Sequence, residues 1–243
     1  MRRFPAALLV LALLAVNTRD AAAQPTASDA AAYSALSATP VGAFTPIMMQ
    51  RDAVKGFTTV AGRLGMFSPK TGDGNTSLGA SGFFRAGANA LVSGTLGYTM
   101  VGCPSGATCD NGMLVGADLL SELWKSAGNT GTSMNVNTLF SAGWSGFGDV
   151  SFASLAAAVP LTMTMEQASK ARLSFHVTPG FGWGRMAADF AGTSVSESGT
   201  RPMFSLGGAW VAPAGWGVHV GFQQVMIEDG GNTIGAGFSW KMN

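Results

Sequence analysis

The sequence contains few charged residues and, past its N-terminus, no apolar segment long enough to cross a membrane as a helix. Charged residues make up 11% of the chain, about half the share in ordinary globular domains. The net charge of +1 gives no reason to expect nucleic acid or an acidic partner. A membrane helix needs about 20 apolar residues, but the longest apolar stretch after the N-terminus, 152–165, is shorter and contains Pro160. These features argue against a helical inner-membrane protein.

Glycine is abundant, with 34 residues in a chain of 243, about twice the usual share. Glycines and small polar residues alternate with large apolar residues, most clearly over 172–185. One parity of that segment holds Leu173, Phe175, Val177, Phe181 and Trp183, and the other holds Arg172, Ser174, His176, Thr178, Gly180, Gly182 and Gly184. A period of two is the signature of a β-strand whose two faces meet different environments. Here it predicts a wall between lipid and a polar lumen.

Similar alternation elsewhere brings the number of predicted strands to ten. They cover 57–67, 79–86, 89–101, 113–124, 133–146, 150–163, 172–185, 201–212, 216–227 and 233–242. The predicted fold is all-β, a transmembrane up-and-down antiparallel β-barrel of ten strands, or of eight if the weak second strand merges with its neighbours. An even number places both ends of the barrel on the periplasmic side. The longest connections, 68–78, 102–112 and 188–200, then become outer loops.

The N-terminus has the pattern of a secretory signal peptide over residues 1–23. Arg2 and Arg3 precede an apolar stretch, 6–16, that is too short to span a bilayer, and alanines at 21–23 offer a cleavage site. Cleavage would also remove Arg19 and Asp20, leaving 11 basic and 12 acidic residues. Residues 24–55 are expected to form a flexible periplasmic segment, and 56–243 the barrel.

Two cysteines, Cys103 and Cys109, lie close together in sequence. Because an exported chain passes through an oxidising compartment, we expect a disulfide that closes this short loop. A structural zinc site would need four ligands, and neither histidine is near in sequence, so we expect no metal.

All six tryptophans lie near ends of predicted strands. Indole is amphipathic and accumulates at the headgroup level of a membrane. We therefore expect two aromatic girdles, an outer one of Trp144 and Trp183 and an inner one of Trp124, Trp210, Trp216 and Trp240.

Over 56–243 the chain resembles small bacterial outer-membrane β-barrel proteins, the eight- to ten-stranded porin-like barrels. Its last strand, with Phe238 and Trp240, resembles the C-terminal strand read by the barrel-assembly machinery, although the chain continues through Lys241, Met242 and Asn243. The resemblance implies a Gram-negative cell envelope, the outer membrane as location, and outer-membrane lipid and the assembly machinery as partners. We expect a monomer.

Ionisable residues on the predicted lumen face are the candidate site residues. They are Arg63, Asp118, Glu122, Arg172, His176, His219 and Lys241. Charges in a narrow barrel must be paired or hydrated, so they form either an ion-pair network that fills the lumen or a polar conduit. The predicted function is structural or that of a narrow passive conduit, with the outer loops as a contact surface.

Two other functions remain open. One is an outer-membrane enzyme that acts on lipid A or peptides through His176 or His219, although no partner with catalytic spacing accompanies either histidine. The other is a soluble periplasmic barrel for an apolar ligand, which would need large apolar residues on the inward face. We expect no catalytic residue and no cofactor.

Overall fold

The structure, a computed structural model, describes residues 56–68, 74–101, 111–127, 131–190, 193–226 and 232–241. Within these ranges every regular element is a β-strand, and no helix is long and apolar enough to cross a membrane. The signal peptide 1–23, the segment 24–55 and the Cys103–Cys109 disulfide lie outside the described residues and stay predictions.

Eleven strands follow one another along the described chain. They are β1 (Gly56–Ser68), β2 (Asn75–Arg85), β3 (Ala90–Val101), β4 (Gly112–Ala127), β5 (Thr132–Phe147), β6 (Val150–Ala158), β7 (Leu161–Glu166), β8 (Arg172–Phe190), β9 (Thr193–Val211), β10 (Trp216–Val225) and β11 (Asn232–Lys241).

The strands close into a barrel. Strands adjacent in the wall pair antiparallel, and β1 pairs with β11 from Thr59 opposite Lys241 to Ser68 opposite Asn232. Strands β6 and β7 share one place in the wall, because both pair with β5 on one side and with β8 on the other. The prediction of an all-β, up-and-down antiparallel barrel of ten strands is therefore confirmed.

The break between β6 and β7 falls at Pro160, which has no N–H to donate to the sheet. The wall stays joined there, because the Val159 N–H donates to the Pro179 carbonyl at 2.9 Å and the Asn137 N–H donates to the Pro160 carbonyl at 2.9 Å. The two strands therefore act as one interrupted barrel strand.

Strand pairing also sets the tilt of the barrel. Following paired residues once around the wall returns to β1 about 12 residues further along, which for ten strands corresponds to a tilt of about 40°. Both β1 and β11 have their terminal ends at one rim, which we name the inner rim after the predicted orientation. The opposite rim is the outer rim.

The barrel is apolar outside and polar inside. On the outer surface Leu96 is 64% exposed and Ile234 is 61% exposed, whereas Asn137 and Ser145 in the lumen are 0% exposed. A closed barrel satisfies every backbone group without water, and an apolar outer band suits lipid. The chain thus has the architecture of a transmembrane barrel of the outer-membrane type.

The structure corrects two predicted boundaries. Strand β2 begins at Asn75, four residues before the predicted start, and pairs with both neighbours over its length, so the eight-stranded alternative is wrong. The predicted outer loop 188–200 is also wrong, because β8 and β9 stay paired up to Phe190 opposite Thr193. In this outer hairpin, formed by 186–190 and 193–200, residues 193–198 are exposed on both faces, so no alternation marks them in the sequence.

Candidate functional site

The lumen is lined at one level by a closed ring of buried side chains, one from each place in the barrel wall. Successive members are either directly paired across two strands, such as Leu91 opposite Leu120, or diagonal neighbours two residues apart. The members of this lumen ring are Thr59, Phe83, Leu91, Leu120, Asn137, Thr162, His176, Ala209, His219 and Ser239. Each is at most 4% exposed, so no water-wide opening passes between them.

One side of the lumen is apolar, both in the ring and directly next to it. Leu91, Leu120, Leu139 and Ala158 are successive partners in one row across β3, β4, β5 and β6. Together with Phe83 and Ala61 they form one buried cluster, the apolar cluster. Large apolar groups facing the lumen exclude water where they meet.

The apolar cluster was missed by the sequence interpretation, which assigned a small polar face to the lumen. Each of its large members has an outward apolar neighbour in the chain, so the strands contain doublets where a clean alternation was expected. The doublets are Phe83–Phe84, Leu91–Val92, Leu119–Leu120 and Leu139–Phe140. Doublets in successive strands were the available signal.

Polar residues complete the ring on β5 and β7. Asn137 is 0% exposed, and neither polar atom of its amide has a hydrogen-bond partner among the described residues. The Thr162 hydroxyl also has no hydrogen-bond partner among the described residues. The amide nitrogen of Asn135, by contrast, donates to Glu122 Oε2 at 2.6 Å. Buried polar groups without partners are costly, so this part of the ring is held by the packing around it.

The two predicted carboxylates lie on either side of the ring. Asp118 is buried and accepts a hydrogen bond from Ser93 Oγ at 2.8 Å. Glu122 is half-buried, four residues along β4 toward the inner rim. Leu120 lies between them on the same face, so the structure does not bring the two acids together as a catalytic pair.

Two of the predicted cations lie near the inner rim, and the third lies midway along β1. Arg172 is half-buried opposite Glu166, and Lys241 is half-buried opposite Thr59. Arg63 lies on β1 between Gly79 and Gly237, with its side chain outside the described residues. An ion-pair network among these residues stays a prediction.

Both histidines lie in the ring, each packed over a glycine of the next strand. His176 is opposite Gly207, where an added Cβ would lie 2.4 Å from His176 Nε2. His219 is opposite Gly237, where an added Cβ would lie 2.6 Å from His219 Nε2. His176 Nδ1 also lies 3.0 Å from Thr178 Oγ1. The imidazoles are therefore part of the packing of the lumen and have no room for a substrate.

The tryptophans lie on the lipid side. Near the inner rim Trp216 is opposite Trp240, its ring lies 5.0 Å from that of Trp210, and it stacks on Phe238 at 6.1 Å. Trp124 turns outward because the register shifts between Glu122 and Trp124. In the outer half Trp144 is opposite Ala153 and Trp183 is opposite Thr200. Their contact with lipid headgroups stays a prediction.

No protein-family model and no curated protein matches the chain. Among solved structures, it is similar to the outer membrane protease OmpT from Escherichia coli, at 7% identity and a TM-score of 0.41 over 77% of this chain and 95% of that one. The translocator domain of the autotransporter NalP from Neisseria meningitidis is 10% identical, with a TM-score of 0.43 over 91% of this chain and 100% of that one.

The attachment invasion locus protein Ail of Yersinia pestis is 10% identical, with a TM-score of 0.33 over 78% of this chain and 100% of that one. Similarity at this level assigns no activity, substrate or partner. The assignment of this chain as an outer-membrane β-barrel protein rests on its own closed wall and its lipid-facing surface.

Proposed function

We propose that the protein is a structural outer-membrane barrel with a closed lumen, whose outer connections form a contact surface. The observation that supports a closed lumen is the burial of the whole lumen ring, from Thr59 on β1 to Ser239 on β11. Barrels of about eight to ten strands have little interior beyond their own side chains, whereas open porins have about 16. A passive conduit would need these side chains to separate.

The outer hairpin is the best-defined part of the proposed contact surface. Residues 193–198 are exposed on both faces, and Val195 is 53% exposed. The pairing of β9 with β10 extends outward to Met203 opposite Val225, and the Met226 N–H donates to the Pro202 carbonyl at 2.8 Å. Exposed side chains on both faces of a surface hairpin are accessible to another chain.

The packing of the histidines supports a function without catalysis. Nucleophilic or general-base chemistry needs a group within hydrogen-bond reach of a bound substrate. His176 is 2% exposed and His219 is 3% exposed, each over a glycine, and no observation favours a substrate beside them.

Conductance in a planar lipid bilayer tests the closed lumen. We expect no single-channel current steps from the wild-type barrel. The double variant Leu91→Gly and Leu120→Gly removes two paired side chains of the ring, and we expect it to give current steps. Leu119→Gly is the matched control, since Leu119 is 44% exposed on the lipid side and its loss leaves the lumen unchanged. Steady steps from the wild type would overturn the proposal.

A further inference from the structure

A groove runs obliquely across the lipid-facing surface from β3 to β9, with a volume of about 570 Å³. Ala117 on β4 is paired with Ala142 on β5, and Ala157 on β6 is paired with Phe181 on β8. The short alanine side chains form the floor, and larger ones rise on both sides, namely Leu119, Phe140, Leu155, Phe181 and Trp183. Its volume lies within the usual range of small-molecule sites, about 300–1,000 Å³.

The apolar lining alone would select no particular molecule. Lipid chains are as apolar as leucine, so moving one from bulk lipid into the groove gains packing and no hydrophobic energy. A preferred occupant therefore needs a second, polar interaction at a fixed distance from the groove.

Such an interaction is available at the outer end of the groove. Thr200 lines the groove and is paired with Trp183. The next pair on the same face toward the outer rim is Arg185 opposite Ser198. Arg185, Ser198 and Thr200 are all exposed. A guanidinium next to two hydroxyls is a donor set for phosphate oxygens, and arginine at the edge of an apolar band keeps its charge at headgroup level.

We propose that this groove holds one acyl chain of an anionic, phosphate-bearing lipid of the outer leaflet, with the phosphate bound by Arg185, Ser198 and Thr200. The complementary charge at the end of an apolar channel favours a lipid over a second copy of the barrel, which would place an arginine of each copy in an apolar contact. Asp189 lies four residues beyond Arg185, about 13 Å along the strand, too far to compete for the same guanidinium.

Native mass spectrometry of the full chain in neutral detergent tests the proposal. The probes are phosphatidylglycerol, which is anionic, and phosphatidylcholine, which is zwitterionic, both with the same acyl chains. We expect one phosphatidylglycerol per barrel, retained in preference to phosphatidylcholine. Arg185→Gln should weaken phosphatidylglycerol retention about fivefold, the effect of one arginine near a headgroup, and Ala142→Leu should fill the groove and weaken retention of both lipids.

Matched variants on the same barrel separate the groove from the general lipid surface. Ala236→Leu adds the same bulk at another exposed lipid-facing alanine, and Lys125→Gln removes an exposed cation near the inner rim. Both should retain lipid like the wild type, and heat-modifiable gel mobility checks that every variant is folded. Equal retention of the two lipids by the wild type, unchanged retention in Arg185→Gln, or a dimer lost in Ala142→Leu would overturn the proposal.

Discussion

At the scale of single residues, glycine has a defined use in this lumen. Several lumen-facing glycines lie where a neighbouring group comes too close for a side chain. An added Cβ at Gly180 would lie 2.6 Å from the Ala158 Cβ, and Gly207 and Gly237 lie under the two histidine rings. A sequence with lumen-facing glycines is compatible with either an open channel or such packing. The choice depends on the neighbour across the strand pair, which is known only once the register is known.

A bulky residue in place of either glycine that lies under a histidine ring should destabilise the barrel. In Gly207→Val the new side chain would meet His176 Nε2 and the Val220 carbonyl, the latter 2.8 Å from the added Cβ. Overpacking of this kind costs about 1–3 kcal/mol. We expect that loss in the free energy of unfolding, measured by urea titration in lipid vesicles.

The matched control for this substitution is Gly94→Val. Gly94 is exposed, and an added Cβ would meet nothing within 4 Å. We expect no loss of stability there. A Gly207→Val barrel as stable as Gly94→Val would show that the imidazole does not pack on the glycine.

At the scale of strands, the sequence could predict the elements whose two faces meet different environments. Strand β10 alternates from Val218 to Phe222, and its predicted start at Trp216 agrees with the structure. The outer part of β9 could not be found in this way, because residues 193–198 are exposed on both faces. The doublet Leu119–Leu120 does not show from sequence which leucine faces the lumen, because both faces of β4 are apolar there.

The position of the outer hairpin relative to the lipid can be tested with two valines of similar exposure. Val220 on β10 is 60% exposed on the lipid-facing side, whereas Val195 on the hairpin is 53% exposed, and we expect it to lie in water. Arginine near the bilayer midplane costs about 2–4 kcal/mol. We expect Val220→Arg to lower the free energy of unfolding in vesicles by that amount and Val195→Arg to leave it nearly unchanged, whereas equal losses would place the hairpin in the membrane.

At the scale of the whole molecule, the barrel could be predicted and the state of its lumen could not. Strand number, closure and the apolar exterior follow from a repeated local pattern with period two. The lumen ring combines residues from every place in the wall, from Thr59 to Ser239, and depends on the register of each pairing and on the tilt they produce together. No segment of the sequence contains that information alone.

The most direct test of the account is a spin-label scan along β8, with oxygen as the lipid-soluble relaxation agent and a nickel chelate as the water-soluble one. Labels at Phe175, Val177 and Phe181 should respond to oxygen, because these residues face lipid. Labels at Ser174, His176 and Thr178 should respond weakly to both agents, because the lumen is closed at this level. Strong relaxation by nickel at His176 and Thr178 would show water in the lumen and contradict the closed ring.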